Sequence, residues 1–319
     1  MRVAGSGTNE VDAVASLWPF RIGLVTTAAT FVLIMAGGIV TTTGTGMAVP
    51  DWPTTFGYNM FLYPWSKMVD GILYEHTHRL VGSLVGALTL TLTVIVWAVE
   101  GRRWVRGLGV AALAAVVIQG VLGGLRVVLV QDALAIVHGA FAHAFFALVA
   151  AVTLFTSPGW LAPRQRVSSP DAVRIRRVAL YTTVGVYGQI LLGTLVTHRG
   201  SRLDAHLFVA ALVSVAVIIL GFRVRPGRAS WPELLRPTDA LSALWLLQML
   251  LGLGAYVGKF HPAGISLGPF LAVALPVSHR LVGGLMLIVA TVVTLRAYRR
   301  TGWSDPVVGS QPLTGKVPA

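Results

Sequence analysis

Four histidines stand where apolar runs begin: His78 in EHTHRLVGSLVG, His138 in AIVHGAFAHAFFA, His206 in DAHLFVAAL and His279 in VSHRLVGGLMLIV. An imidazole inside an apolar span is costly, so it is expected to face the interior of a bundle and to do chemistry there. Two histidines on facing helices can supply both axial ligands of a haem, with Leu, Val, Ala and Phe against the porphyrin faces. The most economical pairing is His78 with His138 and His206 with His279, which implies two haem sites. Helix-borne zinc or non-haem iron sites also use carboxylates one turn from histidine, and only the first histidine has one. Glu75 lies three residues before His78, on the same helical face, whereas Ala135, Leu203 and Pro276 occupy the matching positions. Chemistry is therefore expected at the first pair. There Glu75 could act as a general base toward water or hold a substrate group, or it could simply pair with Arg79. Arg79 and Arg280, each directly after a ligand candidate, could meet haem propionates or anchor helix ends at the headgroups. Of the other histidines, His143 lies within a span and could touch a cofactor. His76, His198 and His261 are expected to face solvent.

The elements that must carry these residues are membrane helices. In 319 residues, 55% are hydrophobic and 12% charged, with mean hydropathy +0.74; that composition defines an all-α integral membrane protein. Runs of about 20 residues, long enough to span the hydrocarbon core, lie near 20–42, 72–99, 107–128, 133–157, 176–197, 203–222, 239–258 and 277–297. The formal charge of +13 does not point to nucleic acid, because the basic residues cluster between apolar runs as topology determinants do. Of 25 Lys and Arg, only Lys67, Arg79, Arg126, Arg199, Arg202, Lys259 and Arg280 fall on the side opposite the termini. Both termini are thus expected in the cytoplasm, and all four ligand candidates toward the outer face of the cell membrane. Cysteine is absent, which removes disulfide and thiolate chemistry.

An internal repeat orders the eight spans. The odd spans share a phrase, Gln119-x-x-x-Gly123, Gln189-x-x-x-Gly193 and Gln248-x-x-x-Gly252, with Leu33-x-x-x-Gly37 as a weaker copy. Each is followed by an outer loop and then by a histidine. These glycines, with Gly82, Gly139 and Gly283, could leave room for a macrocycle or serve close helix packing. The plan is two pseudo-symmetric four-helix bundles, a substrate-site half at 20–160 and a second half at 176–300. A cytoplasmic linker at 161–175 joins them, with loosely ordered tails at 1–19 and 301–319.

The longest outer loop precedes Glu75. Its Pro50, Pro53 and Pro64 among Trp52, Phe56, Tyr58, Phe61, Tyr63 and Trp65 predict a rigid cover over the first site; an aromatic belt alone does not account for the prolines. The combination TGTGMAVPDWPTTFG, Glu75-x-x-His78-Arg79 and the later histidine-bearing spans resembles the haem A synthase family over residues 20 to 300. The resemblance implies an eight-helix enzyme that oxidises the C8 methyl of haem O to the formyl of haem A, by successive hydroxylations and loss of water, for cytochrome oxidase assembly. It also implies that His78 and His138 flank the substrate haem, that Glu75 assists catalysis, and that His206 and His279 bind haem B and its iron. Some members carry a cysteine pair in the first outer loop; with none here, a thiol-dependent role does not transfer. Haem O synthase is the implied supplier of substrate. The electron acceptor, a quinone being one candidate, and a homo-oligomeric state stay open. Two rival classes are a membrane diheme quinol-oxidising electron carrier and a transporter. A prenyltransferase is disfavoured because no Asp-x-x-x-Asp motif occurs.

Overall fold

The computed structural model describes residues 16–163, 169–227, 231–260 and 267–301. It is built from helices α1 (Trp18–Thr42), α2 (Asp70–Val99), α3 (Arg103–Val128), α4 (Asp132–Phe155), the one-turn α5 (Pro158–Leu161), α6 (Pro170–Arg199), α7 (Leu203–Val224), α8 (Pro232–Phe260) and α9 (Gly268–Thr301). All but α5 are long and apolar enough to cross a membrane, the eight spans expected. Several run further than hydropathy indicated. The chain is helical from Pro170, inside the expected linker, because Ser169 accepts a hydrogen bond from Ala172 N and Pro170 opens the first turn. α9 begins at Gly268 and passes through Pro276, and α8 passes through Pro237; a proline removes one helical hydrogen bond, which neighbouring helices can compensate in a membrane bundle. Most of both expected tails and part of the linker lie outside the described residues, as does His261.

Helices α1, α2, α3 and α4 each pack on the next and α4 closes back on α1; α6, α7, α8 and α9 form a second ring in the same order. Each ring has its own buried apolar cluster, one around Val85, Leu92, Val96 and Phe145, the other around Ile175, Val217, Leu241 and Val293. The rings meet through α1, α4, α6 and α9. Large apolar side chains such as Leu84, Val94, Phe208, Phe222 and Leu250 remain exposed, as a lipid-facing surface requires.

Threonines place the helices of the two rings in the same register. Thr27 on α1 meets Thr153 on α4 at 3.2 Å, and Thr183 on α6 meets Thr294 on α9 at 2.9 Å. Thr27 and Thr183 each stand six residues before the Leu33 or Gln189 of the repeat, and Thr153 and Thr294 each stand fifteen after His138 or His279. Thr93, fifteen after His78, donates across to Gly109 O of α3 at 2.9 Å. Interhelical hydroxyl contacts of this kind contribute about 0.6 kcal/mol each in a membrane, so their value is in alignment more than stability.

Candidate functional site

Each candidate histidine sits behind its own glycine. A Cβ built at Gly37 would lie 2.9 Å from Cε1 of His78, at Gly123 2.9 Å from that of His138, at Gly193 3.4 Å from that of His206, and at Gly252 3.0 Å from that of His279. At three of the four positions any side chain would push the imidazole away. The repeat glycines thus seat the rings, while Gly82 and Gly283 make ordinary packing contacts with Leu33 and Gln248. The glutamines cross the same hairpins: Gln119 Nε2 donates to His138 O and Gln189 Nε2 to His206 O, both at 2.9 Å. Gln119 and Gln248 also bring Nε2 within 3.4 and 3.3 Å of Nε2 of His138 and His279. Where an amide donates to Nε2, that nitrogen carries the lone pair and Nδ1 the proton.

In all four rings Nδ1 is buried without a hydrogen-bond partner. With Nδ1 buried in each ring, Nε2 is the nitrogen left for a metal, which at His138 and His279 would displace the long glutamine contact. The ring centroids of His206 and His279 are 6.3 Å apart. Two imidazoles bound on opposite sides of one iron through bonds of about 2 Å have centres roughly 6 Å apart, so the pair fits an intervening iron. His78 and His138 are carried on α2 and α4 of the same ring. The ligand-bearing α2 and α4 stand diagonally across one ring and α7 and α9 across the other, so a flat group can sit between them. Among the described residues no three His, Asp, Glu or Cys side chains gather into a metal site, and a macrocycle completing the coordination suits two-histidine pairs.

Glu75, 3% exposed, is held from two sides. Arg79 donates to Oε1 at 2.7 Å and Val49 N to Oε2 at 2.9 Å, leaving free lone pairs on the carboxylate. The ion pair with Arg79 is therefore formed. Arg79 does more: Nη2 also donates to Val49 O, and Nη1 to Asp51 O and Thr54 O, at 2.8, 2.6 and 3.1 Å. With both terminal nitrogens engaged, only its Nε–H is left for any propionate, and its main work is to bind the loop at residues 43–69 to α2.

That loop is ordered by its own motif. Asp51 accepts from Thr54 Oγ1, Phe56 N and Gly57 N; burial alone would raise its carboxyl, but these bonds outweigh burial and hold it below the ordinary 3.8. Trp52 wedges against α3, where a Cβ on Gly124 would run into the indole. Since Gly123 seats His138, the loop and the second ligand of the first pair rest on adjacent residues of one helix. Gly124→Ala is expected to displace Trp52 and raise cleavage of the loop by added protease several-fold, measured beside an unchanged control at Gly120, where a Cβ meets nothing.

His76 departs from the expectation and Arg126 was missed by it, while His143 and Arg280 lie in the bundle as expected. His76 does not face solvent: it is 1% exposed, bonded to Thr55 Oγ1 at 3.1 Å and packed on Tyr63, because the loop folds back over the first turns of α2. His143 is buried between the rings, with Nδ1 on Gly139 O at 2.9 Å and Gly284 of α9 beside its ring. Arg280 reaches from α9 to Gly38 of α1, next to the glycine that seats His78, and has no carboxylate within ion-pairing distance among the described residues. Arg126, expected only to set topology, lies under the loop at Gly46 and three residues after the glycine that seats His138. Its spacing from Gly123 was the available signal.

Two rings of helices long and apolar enough to cross a membrane define a multi-pass membrane protein. The chain belongs to the cytochrome oxidase assembly protein family (COX15-CtaA), whose profile matches residues 20–311. It is 28% identical over 185 residues to a heme A synthase of Alkalihalophilus pseudofirmus, covering 56% of this chain and 60% of that protein. A heme A synthase of Shouchella clausii is 29% identical over 189 residues, 57% and 60% of the two chains. One from Bacillus licheniformis is 31% identical over 136 residues, 42% and 43%. The matched stretch thus spans at most 60% of the length of these relatives.

Proposed function

We propose that this protein is a haem A synthase, an oxidoreductase that converts the C8 methyl of haem O to a formyl group for cytochrome oxidase assembly. The observation that carries the reading is the two-site plan: two histidine pairs seated by repeat glycines, with a buried carboxylate beside only one of them. Family membership and the names of the relatives support it. On this reading His78 and His138 hold the substrate haem O, and His206 and His279 hold a resident haem B, with the halves as pseudo-symmetric copies. The haem B iron supplies one-electron redox chemistry when bound. Glu75 lies one helical turn from His78, positioned by Arg79 and Val49, and takes a proton from the attacking water; each addition forms one C–O bond, breaks one C–H bond, passes two electrons to the acceptor and releases the second proton to solvent. Two such additions and loss of water give the formyl group. The loop carrying Asp51 and Trp52 covers this site and limits access of bulk water. Arg280, a cation with no ion-pair partner among the described residues, meets a propionate.

The positive-inside asymmetry supports cytoplasmic termini and haem sites toward the outer face. Haem O synthase would supply the substrate, and a membrane quinone is a fitting electron acceptor. The test is haem extraction after the purified protein has been supplied with haem O and an electron acceptor. A formyl haem product supports the reading; bound haem B with no conversion of haem O would favour a diheme electron carrier instead.

A further inference from the structure

We propose that Arg126 binds a propionate carboxylate of the substrate haem and so orients the macrocycle in the first site, an assignment that rests on the two-site reading above. The case begins with the charges around the pair His78 and His138. Glu75 is neutralised by Arg79 at 2.7 Å, and Arg79 spends its terminal nitrogens on Glu75 and three loop carbonyls. A further cation, Arg126, stands on the helix that seats His138. It projects from the last turn of α3, three residues after the glycine that seats His138. Its guanidinium has five N–H donors, yet among the described residues its one hydrogen bond is a long contact from Nη2 to Gly46 O at 3.4 Å. No carboxylate lies within 4.0 Å of it among the described residues. Glu75, already paired with Arg79, and Asp132, at the exposed start of α4, act on it only at longer range.

The local structure makes room for this cation. A Cβ at Gly46 would occupy the space of Nη2, so the glycine admits the guanidinium under the loop. A part-buried guanidinium with four unused donors is costly unless an anion arrives to meet it. A carboxylate meeting this guanidinium would lie at the edge of the first site, under the loop and three residues from the glycine that seats His138. A propionate on the edge of a metal-bearing macrocycle has that geometry, and a planar fork suits a carboxylate. The HRLVG copies then differ in use: Arg280 remains available in the second half, whereas Arg79 has been taken by the loop and Arg126 replaces it.

The test compares binding of haem O with binding of its dipropionate dimethyl ester, in which both carboxylates are neutral. Each is titrated optically into the purified full-length protein with its resident haem in place, for wild type, Arg126→Gln and Arg126→Lys. Wild type is expected to prefer the free acid by about tenfold or more, the scale of a charge-assisted hydrogen bond. Arg126→Gln is expected to lose that preference through weaker binding of the acid, with ester binding unchanged; Arg126→Lys should keep part of it. The resident haem spectrum reports folding of each variant, and if the glutamine variant failed to fold, the lysine variant would carry the comparison. Retention of the full preference in Arg126→Gln, or in Arg126→Lys if that alone folds, would overturn the assignment and leave the two-site reading intact. Failure of wild type to bind either form would overturn the first-site reading, and this assignment with it.

Discussion

Replacing His206 or His279 with alanine is expected to strip the resident haem from the purified protein. Each ring is seated by its own glycine with Nδ1 buried, so no neighbouring side chain is placed to substitute for the lost ligand. Among the described residues no third histidine or carboxylate joins the pair. Loss of a hydrogen-bonding partner around a metal site costs about 10- to 100-fold in affinity, and loss of a ligand itself should cost at least that. Haem content per protein and the optical spectrum give the readout. His78→Ala and His138→Ala should spare the resident haem while abolishing formyl product. Full haem B occupancy in His206→Ala would sink the assignment of the second pair.

Glu75 and Arg79 should fail in opposite ways although they form one ion pair. Glu75→Gln keeps an acceptor for Val49 N and leaves Arg79 its three loop carbonyls, so the loop is expected to stay in place and both haems to bind. Formyl product should fall about 10²- to 10⁴-fold, the usual contribution of a positioned base. Arg79→Met, in contrast, leaves a buried carboxylate uncompensated and frees three loop carbonyls. Breaking a buried pair from one side costs about 3–5 kcal/mol, which should appear as a lower unfolding temperature in detergent and rapid proteolysis of the loop at 43–69. Wild-type turnover in Glu75→Gln would make the glutamate a latch and nothing else.

The eight spans were legible because lipid requires long apolar helices, and the ligand candidates because a histidine recurs after each repeat phrase. The helix ends were less so: hydropathy marks where polarity begins, whereas Ser169 with Pro170 starts α6 by capping, and α9 runs through Pro276. Side-chain partners across sequence distance were the least visible. Nothing in EHTHR says that Arg79 will collect carbonyls from Val49, Asp51 and Thr54, since that depends on the loop folding back. The same fold-back buries His76, whose neighbours Glu75 and Thr77 gave no hint of Tyr63 above it. Arg126 read as a topology charge because its significance comes from Arg79 being occupied. The threonine register, by contrast, was present in the spacing and could have been found by extending the repeat fifteen residues beyond each histidine.

The glycine behind each imidazole also bears on when the protein becomes ready for its ligands. A side chain immobilised on binding loses about 0.5–1.5 kcal/mol of freedom at that moment; four rings already confined by Gly37, Gly123, Gly193 and Gly252 have met that cost during folding. On the proposed two-site reading, a macrocycle would then dock late, onto rings whose positions the fold has already set.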